Sequence, residues 1–177
     1  MNRRLILPLL LILGVLAAGP LLAGPPVEPP DDCSYCGMNR TKFAHSRMLI
    51  EYEDGSVCGT CSINCTAIDL AANGAKKVKA LKVGDYVTKQ LIDARSATWT
   101  IGGDKRGVMT PVAKWAFAGK GEAEGYIAKH GGKLATYADA LAATQAELAA
   151  DQGDEAGGGV VCDCCKNKKK PQEKEKP

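Results

Sequence analysis

Apolar and polar positions alternate from Arg47 onward. Met48, Ile50 and Tyr52 fall on one side of a strand, and Leu49, Glu51 and Glu53 on the other. Asp54-Gly55 then predicts a hairpin turn, with a return strand from Ser56 to Thr60. In "CSINCTAIDLAANG" the period changes. Ile63, Ala67, Leu70 and Ala71 fall at helical spacing, and Asn73-Gly74 supplies a stop. "KKVKALKV" reads as the next strand.

The same order recurs downstream. "ATWTI" and "PVAKWAFAG" are strand candidates joined by the glycine-rich "GGDKRGVMT". "GEAEGYIAKH" follows as a helix with Ala123, Tyr126 and Ile127 on one face, and "GGKLATY" as a strand. Trp99 and Trp115 fall at strand positions and read as core. The pattern predicts an α+β fold built from two ββαβ units, over residues 47–94 and 97–136. A last helix starts at "TYAD", where Thr136 and Asp139 form a capping box and Tyr137, Leu141 and Leu148 face the body.

The ends read differently. Residues 1–23 carry a basic start at Arg3 and Arg4, an apolar stretch and small residues near Ala23, the layout of an export signal. An uncleaved membrane anchor is the alternative, disfavoured by Pro8, Gly14, Gly19 and Pro20. Residues 24–32, "GPPVEPPDD", predict an extended, solvated linker. A domain over 33–150 follows, then a tail over 151–177 too polar and glycine-rich to bury a core. The reading places the protein in an oxidising compartment, the periplasm or cell envelope. The formal charge of +3 comes largely from tail lysines. No basic face carries interleaved aromatics, which excludes nucleic acid as the expected partner.

Sulfur changes the picture most. Eight cysteines fall as Cys33-x2-Cys36, Cys58-x2-Cys61-x3-Cys65 and Cys162-x-Cys164-Cys165. Disulfides are the ordinary meaning in an exported chain, including one from Cys61 or Cys65 to Cys33 or Cys58. Disulfides leave Met38 unexplained, because a thioether cannot join one. Thiolate beside thioether is a soft donor pair that selects Cu(I), and Gly37 lets Cys36 and Met38 turn toward one ion. Met109, in a hairpin connection where methionine has little to pack on, is a second thioether able to lean over that segment.

Three other readings stay open on the residues alone. Cys33, Cys36, Cys58 and Cys61 approximate a four-cysteine zinc spacing. Cys58 and Cys61, where a strand meets a helix, suit a thiol–disulfide oxidoreductase. Cys162, Cys164 and Cys165 are either idle thiols on a mobile tail or a metal-gathering arm. Cys61 and Cys65 also admit an auxiliary copper role, and His45 is the histidine nearest the sulfur segment. His130 reads as a helix-end residue that complements the dipole. No phosphate loop, Ser-His-Asp set or paired carboxylate array appears, so no catalytic residue is assigned.

"CGM" ahead of "MLIEYEDG", followed by "DYVTKQLIDARSATWTIGG", "GVMT", "AKWAFA" and "GGKLATY", resembles the NosL family, the accessory proteins of nitrous oxide reductase. The resemblance runs over about residues 33–140. It implies a non-enzymatic envelope chaperone for Cu(I), which passes the ion toward that reductase with a membrane ABC-type maturation apparatus. It also implies two ββαβ units in a topology shared with organomercurial lyase. Carried over by motif, Cys36, Met38 and Met109 are the ligands, with Cys33 beside them and His45, Cys61 and Cys65 as further candidates. Cys58, Cys61, Cys65 and the tail cysteines are additions to the simplest family pattern. A sulfur site open at the surface can also be completed by a second copy of the chain.

Overall fold

The computed structural model describes residues 27–154, with side chains up to Asp151. The export signal at 1–23 and the cysteine- and lysine-rich part of the tail lie outside the described residues.

The hairpin at Asp54-Gly55 joins β1 (Met48–Tyr52) to β2 (Val57–Thr60), antiparallel, with Ile50 opposite Cys58. Gly55 takes a φ of 82°, which the turn requires and an L side chain resists. Helix α1 (Ile63–Ala72) follows and returns the chain to β3 (Val78–Gly84), which pairs on the other edge of β1. A short strand β4 (Leu91–Asp93), absent from the sequence reading, extends the sheet to the order β2-β1-β3-β4. Three residues between polar neighbours are too few to show a period.

The second half repeats the order strand, strand, helix, strand. β5 (Thr98–Arg106) pairs with β6 (Val112–Phe117) and β7 (Lys133–Ala135), and α2 (Lys120–His130) connects β6 to β7. In each antiparallel sheet the first strand of the half lies between its neighbours. β5 runs past the predicted "ATWTI" because Gly102 and Gly103, both at positive φ, carry the strand through a register shift. A Cβ on Gly103 would lie 2.7 Å from the carbonyl oxygen of His130, so glycine there lets α2 close down on the strand. α3 (Tyr137–Asp154) begins at the predicted box. Asp139 N donates to Thr136 Oγ1 at 3.2 Å, and Thr136 N to Asp139 Oδ2 at 2.9 Å. Ala140 and Thr144 form the buried centre of its inner face, with Tyr137, Leu141 and Leu148 beside them.

One carboxylate joins the halves. Buried Asp85 accepts from Thr88 N (2.7 Å), Thr88 Oγ1 (2.6 Å) and Ala118 N (3.0 Å), beside a parallel bridge from Asp85 to Ala116. Two core clusters result. The first gathers Met48, Ile50, Leu81, Val83 and Trp99; the second gathers Cys33, Cys61, Cys65, Trp115, Phe117 and Tyr126.

Within the expected linker, Val27 and Glu28 are held against the body. Arg40 is fully buried, and its guanidinium needs a counter-charge. Glu28 supplies it at 2.5 Å and also meets Arg47 at 2.9 Å. Pro30 packs so closely on Gly59 that a Cβ there would lie 2.6 Å from it. Val27 is buried and Glu28 half-buried against the two arginines, while residues 29–32 stay exposed.

Candidate metal centre

Residues Cys33–Met38 close into a tight turn: Cys33 N donates to Met38 O at 2.9 Å, and Gly37 N to Cys33 O at 3.0 Å. Gly37, with a φ of 71°, makes the turn possible. Ser34 fixes the turn on the end of β2, its amide and hydroxyl both donating to Gly59 O at 2.9 and 3.0 Å. Cys61 lies between β2 and the N-cap Ser62, and Cys65 is in the first turn of α1. Cys61 therefore precedes the helix, and only Cys65 lies within it. The Ser62 hydroxyl makes no cap bond, and a helix N-terminus favours a thiolate beside it.

This arrangement brings four thiols together. The sulfurs of Cys33, Cys36, Cys61 and Cys65 all lie within 4.8 Å of one another. Cys36 Sγ is 3.4 Å from Cys61 Sγ, which is 3.8 Å from Cys65 Sγ. Cys33, Cys61 and Cys65 are buried, and Cys36 is partly exposed. All five described cysteines are free thiols, so the expected disulfides are not among their contacts. Hydrogen bonds from the Cys61 and Cys65 thiols hold the Cys33 thiol far below its ordinary value. The Cys33 contact in turn pushes Cys61 and Cys65 upward, with burial adding to it.

Cys58, which the zinc reading placed in the set, is not a member of the cluster; Cys65 takes the fourth place. Strand alternation explains it. Cys58 pairs with Ile50 and enters the first core, where burial pushes its thiol up to about 12. Cys58 and Cys61 thus serve different cores, which removes the geometric basis of a redox pair between them.

Next to the thiols a cleft of about 380 Å³ is lined by Met38, His45, Tyr86, Met109 and Trp115, among others. Met38 also packs, partly buried, against the second core. Met109 is 46% exposed and holds a left-handed φ of 60°, uncommon for a side chain of its size. Its loop is tied down from α3: Glu147 accepts from Thr110 Oγ1 and, at 2.8 Å, from the buried Lys114 Nζ, which also donates to Val112 O at 3.2 Å. His45 is edge-on to Tyr86 at 5.7 Å and 5.2 Å from Trp115. Burial, with a contribution from Lys89, lowers its pKa to about 4, leaving a neutral ring with a lone pair. His130 ends α2 and meets Asp104 of β5 at 3.0 Å, and it does not line the methionine cleft.

The sequence reading therefore placed Cys33, Cys36, Met38, His45, Cys61, Cys65 and Met109 in one neighbourhood, which the structure divides into a thiol cluster and a thioether cleft. It missed the aromatic wall of Tyr86 and Trp115 and the Lys114–Glu147 brace, because neither leaves a local pattern. Among the described residues, no helix is long and apolar enough to cross a membrane.

No curated protein sequence matches the chain. Among solved structures, the copper chaperone NosL from Shewanella denitrificans is similar, with a TM-score of 0.50 and 22% identity over 62% of this chain and 89% of that one. That likeness is one of fold, a mixed α/β architecture with two antiparallel sheets. The NosL family matches residues 26–144, which takes in both sheets, the four thiols and both cleft methionines. On that match, the chain belongs to the NosL family.

Proposed function

We propose that this protein is a copper chaperone of the cell envelope that carries Cu(I) on Cys36, Met38 and Met109 and releases it to a copper enzyme. The observation that carries the reading is the shared cleft. Two methionines 71 positions apart in sequence line one opening, and one of them, Met38, packs with the partly exposed Cys36 against the same core. A thiolate and two thioethers form a soft donor set, which favours Cu(I) over harder divalent ions. Family membership and the copper chaperone with a similar fold point the same way.

The geometry suits transfer better than storage. Three donors on an exposed rim leave one side of the ion free for an incoming ligand. The recipient's sulfur or imidazole adds before the chaperone's donors leave, so the ion never enters water as a free cation. Neutral His45 stands at the cleft as a further donor. The chemistry is ligand exchange and needs no catalytic residue. The family resemblance names nitrous oxide reductase as recipient and an ABC-type apparatus as the assembly that receives the chaperone. We read the two strand–strand–helix–strand halves as duplicated ββαβ units, with Cys36 and Met38 supplied by the turn that precedes the first and Met109 by the second.

Anaerobic Cu(I) titration against a competing chelator tests the reading. Cys36→Ser and the double variant Met38→Leu/Met109→Leu are each expected to weaken the cleft site about 100-fold, close to 3 kcal/mol. Unchanged affinity in both would reject it.

A further inference from the structure

We propose that Cys33, Cys61 and Cys65 form an inner site for a second Cu(I), joined to the outer Cys36–Met38–Met109 site through Cys36 as the shared sulfur. The inference rests on the copper reading above but concerns residues that reading does not need. A metal–thiolate bond of about 2.3 Å places the sulfurs of a trigonal site about 4 Å apart. The Cys61–Cys65 separation is 3.8 Å, and Cys33 lies within 4.8 Å of both, so small side-chain adjustments close the site. Cys36, 3.4 Å from Cys61 and partly exposed, packs with the cleft residue Met38 against the same core, which makes it the thiol that can serve both ions.

Burial separates the two sites by role. Cys61, Cys65 and Cys33 are 0%, 1% and 4% exposed, while Met109 is 46% exposed. The inner donors come from three places — the 33–38 turn, the β2 end and the first turn of α1 — so an ion bound there staples all three. Each ligating thiol gives its proton to solvent, and the ion stays monovalent. A thiolate set with no oxygen or nitrogen donor is selective for soft ions. The inner ion is then a reserve: a copper leaving the rim is replaced across the Cys36 sulfur without passing through water.

The test uses the full chain carrying Cys162→Ser/Cys164→Ser/Cys165→Ser, so that tail sulfur contributes nothing. Anaerobic Cu(I) titration of this parent is expected to give two equivalents. Adding Cys61→Ser/Cys65→Ser is expected to leave one, and adding Met38→Leu/Met109→Leu to leave a different one. A parent that binds a single equivalent, or a Cys61→Ser/Cys65→Ser variant that keeps two, overturns the inner site. If the methionine variant keeps both equivalents, the outer reading fails and the inner site stands. X-ray absorption of the doubly loaded parent covers the event that a cysteine variant does not fold. Short copper–copper scattering supports a shared sulfur, and its absence overturns it. A tightly held Zn(II) ringed by four thiolates that Cu(I) cannot displace also overturns the proposal.

Discussion

The two cores of this protein do different work with similar residues. The first is closed by aliphatic packing of Ile50, Leu81 and Val83 around Met48 and Trp99. Its polar content is satisfied internally: Trp99 Nε1 donates to Ala94 O at 2.8 Å, and Asp69 accepts from Tyr35 at 2.7 Å and from Tyr52. The second core places thiols against aromatic rings and opens on a cleft with an exposed methionine. Cysteine and methionine occur in both. The difference is whether the sulfur faces aliphatic carbon or other sulfur, and that decides whether it fills space or offers lone pairs.

Substitutions can break the contrast. Leu81→Ala, in the first core, is expected to cost about 3 kcal/mol in chemical denaturation and to leave the Cu(I) equivalents of the folded protein unchanged. A loss of copper binding with retained fold would mean the cores are not independent. Glu147→Ala leaves the Lys114 ammonium buried without its partner and frees the Met109 loop. It is expected to cost about 1–2 kcal/mol and to weaken Cu(I) binding less than Cys36→Ser does.

Acid titration sharpens the contrast from the cleft side. Burial lowers the His45 pKa from 6.5 to about 4, so the folded chain resists protonation that the unfolded chain accepts. Its contribution is complete above pH 6.5 and is lost as pH falls toward about 4. Denaturation midpoints followed over that window are expected to decline in the native chain and to flatten in His45→Phe. An unchanged slope would show that another group dominates. The smallest effect is expected from Cys58→Ala: about 1 kcal/mol of stability and no change in copper equivalents. A lost equivalent would return Cys58 to the metal site.

What could be read from the sequence was whatever is encoded locally. The Asp54-Gly55 turn, the Thr136–Asp139 box and the order of strands and helices each follow from a few neighbouring residues. The thiol cluster was half legible. Its members were all candidates, but choosing Cys65 over Cys58 depends on where β2 ends, and boundaries are the least determined part of a pattern. β4 has too few residues to show alternation. The docking of Glu28 answers Arg40, a buried cation whose burial depends on the finished tertiary fold. The Lys114–Glu147 brace likewise joins residues 33 apart that meet only after α3 packs.

The Asp85 joint has a mechanical consequence. The thiols belong to the half before it and Met109 to the half after it, so this joint, together with the two cores that both halves share, sets how far apart the jaws stand. Altering that joint changes the bite without touching a single tooth, and it loads both halves at once because each core draws residues from both.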